Sequence, residues 1–223
     1  YTTHLNLNAR MVPFAGWDLP VFYPAGIIAE HRAVRSSAGV FDVSHMGRLE
    51  LRGSAALSLL DRVLTADIPR LPVGRARYAL ILQEDGGILD DCIVYRLAPE
   101  RFLLVCNAAR REDVVNWLVQ WMTPETPKLT DRTEGTAMIA CQGPSARGMV
   151  VGLLDSDLDG LLPFGCAELD VAGRRILVAR TGYTGEDGME IIAPAEMSST
   201  LWERLREKGA TPCGLGARNT LRM

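Results

Sequence analysis

The 223-residue chain predicts an α+β fold, with mixed or antiparallel sheets and packed helices. Three observations carry this expectation. Segments of alternating apolar and polar residues recur along the chain, amphipathic helical segments stand between them, and few βαβ alternations occur. A tight turn, Glu84-Asp-Gly-Gly87, also joins two strand-like runs directly, which a parallel pair could not do.

In chain order, residues 25–38 read as a helix with Ile27, Ile28, His31 and Val34 on one stripe and Gly39 as its stop. Residues 40–45 and 48–52 alternate like strands. Ser54 is placed to cap a helix over 55–64, with Leu57, Leu60 and Leu64 on one face. Strands are expected at 77–82 and 88–95 around the turn, and a third at 101–107. A helix carrying Val114, Trp117, Leu118 and Trp121 follows. Further strand-like runs lie at 136–141, 166–171, 174–180 and 188–192, before an amphipathic helix over 196–208 that Gly209 ends. Residues 214–223 read as the start of another helix cut off by the end of the chain, so residues are expected beyond Met223. The start at Tyr1, without an initiator Met or a signal pattern, leads to the same expectation at the other end. Residues 48–131 hold a helix, hairpin, strand and helix that can close on themselves. The flanks, 1–47 and 132–223, are then expected to form a second, discontinuous domain.

Composition narrows the function classes. Apolar residues make up 48% and charged residues 23%, an ordinary globular balance. The net charge of −3 lacks the basic excess of a nucleic-acid binder. No apolar run approaches the ~20 residues of a membrane-spanning helix. Five scattered cysteines, none in a CxxC pair, suit small buried side chains in a reducing compartment; a cytoplasmic setting is expected, or the mitochondrial matrix if the source is eukaryotic. The three histidines (His4, His31, His45) form no metal-ligand spacing, and no metal is expected. With only two lysines and no GxxxxGK[ST], no phosphate loop is present. Gly214-Leu-Gly-Ala-Arg lacks the third glycine of a dinucleotide fingerprint, and Gly143-Pro-Ser145-Ala-Arg is not a nucleophile elbow.

Two stretches carry chemistry. Asp90-Asp91 lies inside the apolar run 88–95, so alternation sends the two carboxylates to opposite faces. Both faces are otherwise apolar, and a desolvated carboxylate suits acid–base work or orientation of an amine. The same pattern also suits two carboxylates solvated at the hairpin mouth or paired with Arg77 or Arg96. The second stretch is Arg180-Thr-Gly-Tyr-Thr-Gly-Glu-Asp-Gly-Met-Glu190. Its glycines let backbone approach a flat ligand, Tyr183 can stack on that ligand, and Glu190 can accept two N–H groups. On composition alone a glycine-rich turn with solvated acids is the favoured reading. His45 and Met46 suit structural roles or a pocket, and Arg218 is either solvated or aimed at a ligand.

Several segments together resemble the folate-dependent aminomethyltransferases, the T-proteins of the glycine cleavage system. They are Val12-Pro-Phe-Ala-Gly-Trp-Asp-Leu-Pro20, Phe41-Asp-Val-Ser-His-Met46, Gly86-Gly-Ile-Leu-Asp-Asp91, Gln142-Gly-Pro144, Gly182-Tyr-Thr-Gly-Glu-Asp-Gly188 with Glu190, and Gly214-Leu-Gly-Ala-Arg218. The resemblance implies a folate-binding fold of three domains around a central cavity. Residues 48–131 would be its ferredoxin-like domain, and a C-terminal β-barrel would lie outside this chain. It implies transfer of the methylene of an aminomethyl-lipoyl carrier, the H-protein, to tetrahydrofolate, with release of ammonia. By the same resemblance Asp91 is the catalytic carboxylate, Glu190 binds the pterin and Arg218 the folate. Met46, Val105, Asn107 and Tyr183 match pocket positions. Asn219 departs from the family's usual Asp. Two alternatives are weighed: related folate-dependent demethylases of sarcosine, dimethylglycine or a sulfonium compound, and, from another class, non-catalytic folate binders serving iron–sulfur maintenance. The latter carry a cysteine motif where this chain has Arg180-Thr-Gly-Tyr183.

Overall fold

A computed structural model describes residues 1–123, 127–158 and 160–223. The chain runs through α1 (Thr2–Asn6), β1 (Arg10–Phe14), β2 (Trp17–Phe22), α2 (Ile27–Ser36), β3 (Gly39–Asp42) and β4 (Gly47–Arg52). Next come α3 (Ala56–Val63), β5 (Arg75–Leu82), β6 (Ile88–Ala98), β7 (Arg101–Cys106), α4 (Arg111–Gln120) and β8 (Lys128–Asp131). The last run holds β9 (Thr136–Gln142), α5 (Ala146–Leu154), β10 (Cys166–Val171), β11 (Arg174–Ala179) and β12 (Gly188–Pro194). It closes with α6 (Ser198–Glu207), β13 (Thr211–Pro212) and α7 (Leu215–Leu221). Among the described residues no helix is long and apolar enough to cross a membrane.

Two compact units result: Tyr1–Ser44 with Thr136–Pro163 and Glu168–Met223, and His45–Gly135 with Phe164–Ala167. Residues 45–47 and 132–135 therefore group with the second unit, against the expected boundaries at 48 and 131. The reason is hydrogen bonding: Gly47 pairs with Cys106, the Arg48 amide donates to Thr133 Oγ1 at 3.0 Å, and the Arg132 amide donates to the Arg48 carbonyl at 2.8 Å. The return at 164–167 bonds through Ala76 N–H to Phe164 O (2.7 Å) and Cys166 N–H to Gly74 O (2.8 Å).

In the first unit a six-stranded sheet has the order β10-β11-β12-β9-β3-β13, and β1 and β2 form a separate hairpin. Strand β9 is buried from Ala137 to Gln142, which explains its continuous apolar run. Ile139 and Cys141 pack with Val150 of α5, Val178, Ile191, and Trp202 and Leu205 of α6. Beside this core His4 donates from Nε2 to Asp42 (3.0 Å) and faces the Tyr23 hydroxyl through Nδ1 (2.9 Å). Burial alone would raise the Asp42 carboxyl, but hydrogen bonds from His4 and Ser44 outweigh it and bring it from 3.8 to about 2. A carboxyl lowered on folding stabilises the protein above its ordinary value and loses that contribution as pH falls toward 2. Denaturant midpoints measured across that acid range are thus expected to rise with pH, with a shallower slope in Asp42→Asn. An equal slope in the variant would remove Asp42 as its source.

In the second unit five antiparallel strands take the order β5-β6-β7-β4-β8. One face carries Leu49, Leu51, Val94, Phe102 and Leu104, packed with Leu59 and Leu60 of α3 and Val114 and Leu118 of α4. The expected turn at 84–87 closes through Gln83 N–H to Gly87 O at 2.8 Å.

Several local expectations are corrected. Helix α2 stops at Ser36, and Gly39 opens β3 rather than ending the helix. Its buried residues are Glu30 and Val34, while Ile28 is exposed. Glu30 can be buried because its carboxylate accepts the Tyr23 and Gly214 backbone N–H groups (2.5 and 2.9 Å). Ser54 does not cap α3, which starts after Ala55 without a side-chain cap. The expected strand 40–45 ends at Asp42, whose carboxylate accepts the Ser44 N–H and turns the chain.

Candidate functional site

The first cluster lies at one end of the second unit's sheet. In β6 the residues Asp90, Cys92 and Val94 are buried, while Asp91 and Ile93 are half-buried on the other face, so the expected alternation holds along the strand. It breaks down at the strand's end, where Asn107 follows β7 and reaches both carboxylates. The Asn107 backbone N–H donates to Asp90 Oδ2 at 2.9 Å, and Nδ2 donates to Asp90 Oδ1 and to Asp91 Oδ1, each at 2.8 Å. Among the described residues no pairing of these carboxylates with Arg77 or Arg96 is found; Arg96 donates instead to the Leu71 and Pro99 carbonyls. Burial raises the Asp90 carboxyl above its ordinary value, and the hydrogen bonds from Asn107 offset this only in part. Val105 pairs with Ile93 on the same face as Asp91, and Met46 precedes β4, its carbonyl accepting the buried Arg48 guanidinium.

The second cluster belongs to the first unit. Glu190 sits in β12 between Ala179 and Ala140 and accepts a short hydrogen bond from Thr181 Oγ1. Gln142, almost fully buried at the end of β9, holds the loop: its Nε2 donates to Thr181 O at 3.0 Å, and its Oε1 accepts Thr184 Oγ1 at 3.0 Å. Gly182 packs against Gln142: a Cβ there would lie 1.8 Å from Oε1, so a side chain at this position would have to displace the amide that holds the loop. This close approach leaves Tyr183 projecting, 47% exposed, with the Arg218 guanidinium 4.7 Å from the centre of its ring. The loop acids are not simply solvated. Asp187 takes a bidentate bond from Arg180 (2.8 and 2.7 Å), which holds its carboxyl below the usual range, and Glu186 pairs with Arg35 at 2.9 Å.

The structure thus brings Asp91 against Asn107, with Val105 on the same face, and separately brings Tyr183 against Arg218 beside the Glu190 strand. His45 is buried. Sequence reading missed Thr181, Gln142 and Arg35 as the supports of the glycine loop. Gln142 was visible only as part of a motif, and no spacing rule links it to residues 39 and 42 positions away. Among the described residues no group of three or more His, Cys, Asp or Glu is placed to hold a metal ion.

The chain is similar in fold to known structures. The crystal structure of the glycine cleavage system aminomethyltransferase T from Bartonella henselae matches with a TM-score of 0.92 and 34% identity, over 100% of this chain and 60% of that one. A subunit of the heterotetrameric sarcosine oxidase from Corynebacterium sp. U-96 shares the fold at a TM-score of 0.59 and 18% identity, covering 88% of this chain and 93% of that one. The fold is therefore the α+β fold of the aminomethyltransferase T class. The profile of the GCVT N-terminal domain matches residues 1–223, and the chain belongs to that family. Aminomethyltransferases from Rubrobacter xylanophilus and Herpetosiphon aurantiacus are 49% and 45% identical to it, over 100% and 98% of this chain. The chain spans 59% and 60% of the length of those two relatives.

Proposed function

We propose that this chain is the folate-handling part of a glycine cleavage aminomethyltransferase. In this reading the methylene of an aminomethyl group on a lipoylated carrier, the H-protein, passes to tetrahydrofolate and ammonia is released. The observation that carries the reading is the Asp91–Asn107–Asp90 constellation: a half-buried carboxylate held by an amide, with one oxygen open. Such a group can orient an amine and stabilise the positive charge that develops as the amine attacks a methylene carbon. Asp91 is the proposed catalytic residue, and Met46, Val105 and Asn107 are proposed to line its surroundings.

The other cluster fits a reduced pterin in its donor and acceptor chemistry. Glu190 offers a fixed acceptor for an aminopyrimidine edge, which is rich in N–H donors. Tyr183 offers an open aromatic face, and Arg218 a cation for the anionic end of a folate. The five cysteines are all buried, in keeping with a reducing cytoplasm.

Calorimetric titration of this chain with tetrahydrofolate, under reducing and anaerobic conditions, tests the reading. Binding is expected, and Glu190→Gln is expected to weaken it by about 1–3 kcal/mol, because an amide places a donor against a donor edge. Unchanged affinity in the variant would take Glu190 out of the site. Absence of binding by the wild-type chain, and by a version extended to the relatives' full length, would overturn the folate reading itself.

A further inference from the structure

The orientation of the Asn107 side chain is decided by chemistry. An amide NH2 has two hydrogens, and a carboxylate at neutral pH only accepts. Nδ2 lies 2.8 Å from oxygens of both Asp90 and Asp91, so both hydrogens are used. Exchanging the amide's two ends would aim a carbonyl oxygen at two carboxylates and lose two charge-assisted hydrogen bonds. The Asn107 carbonyl oxygen therefore faces away from both. Among the described residues neither that oxygen nor Asp91 Oδ2 has a hydrogen-bond partner.

Asp90 holds this arrangement. It is 7% exposed, and its two oxygens grip Asn107 at both the backbone N–H and the side chain (2.9 and 2.8 Å). Asp91 grips only the side chain, which would leave the amide free to swing about its last bond. We propose that Asp90 is a positioning residue: its carboxylate fixes the Asn107 amide so that the nitrogen clamps Asp91 while the carbonyl, beside the open Asp91 oxygen, forms a paired acceptor for an N–H group of the ligand. The identity of that ligand as a reduced folate rests on the function proposed above. The positioning itself does not.

Two measurements test it. In the NMR spectrum of the 223-residue chain, the Asn107 side-chain amide is assigned by its loss in Asn107→Asp. Both of its hydrogens are expected downfield of a free amide and protected from exchange. In Asp90→Asn the new side chain has one acceptor where two N–H groups need one, so the Asn107 signals are expected to move toward free-amide positions while the remaining backbone spectrum is retained. Free-amide positions in the wild type, or signals unmoved by Asp90→Asn, would overturn the proposal. The wild-type signature needs no variant to fold.

In parallel, Asp90→Asn and Asn107→Ala are each expected to weaken tetrahydrofolate binding about tenfold or more. The double variant is expected to be no weaker than the worse single one, because both changes remove one unit. Fully additive losses would separate Asp90 from Asn107 and overturn the proposal. If neither the wild-type chain nor the version extended to the relatives' full length binds tetrahydrofolate, the folate reading fails and the Asn107 spectrum still decides the role of Asp90.

Discussion

Replacing Asp91 with Asn in the full-length protein is expected to lower turnover by about a thousandfold and to weaken tetrahydrofolate binding by only about tenfold. The geometry explains the asymmetry. Asn is nearly isosteric with Asp, and its carbonyl oxygen can still accept Asn107 Nδ2, now at 2.8 Å from Asp91 Oδ1. The side chain therefore stays in place and its contact area is kept. What changes is the outward atom, from an anionic acceptor to an NH2 donor. It then faces an amine with the wrong polarity and no charge to stabilise the transition state. Steady-state kinetics beside calorimetry would check both halves. Wild-type turnover would remove Asp91 from the chemistry, and an equal loss in affinity and turnover would make it a binding group instead.

Gly143→Ala is expected to destabilise the chain by about 3 kcal/mol or more, seen as a lower denaturant midpoint. Gly143 has φ +128, a conformation that L side chains rarely adopt. An added Cβ would also lie 2.4 Å from the Ser37 carbonyl oxygen, 2.5 Å from that of Val34 and 3.0 Å from Ala38 Cα. All three are backbone atoms at the end of α2, so no rotamer change relieves the clash. The site of the insult matters as well, because the neighbouring Gln142 holds the Thr181–Thr184 loop. Gly148→Ala is the internal control. It lies within α5, where a Cβ meets nothing within 4 Å, and is expected to be neutral or to stabilise by up to about 1 kcal/mol. Equal effects of the two substitutions would refute this account of Gly143.

Much of the architecture was legible from local pattern. The hairpin at 84–87, the opposite faces of Asp90 and Asp91, and a strand at 136–141 follow from periodicity and turn chemistry, which are properties of neighbouring residues. The α+β class follows from the same signals. The resemblance to a known family pointed to Asp91, Glu190 and Arg218 before any geometry was known.

The remainder depended on pairings that periodicity does not encode. Glu30 has the sequence look of a solvated helix residue, yet it is fully buried, because Tyr23 and Gly214 bring two backbone N–H groups to its carboxylate. Asn107 ends a strand whose own pattern says nothing of Asp90 and Asp91, 17 and 16 positions earlier. Arg218 and Tyr183 are distant in the chain and meet only once α7 is packed. A sequence period reports which face of an element is apolar; which polar group meets which is decided by strand register and helix docking. Composition, pattern and family motifs thus determined the class of fold and the candidate residues, and tertiary structure alone decided that one amide would join two carboxylates.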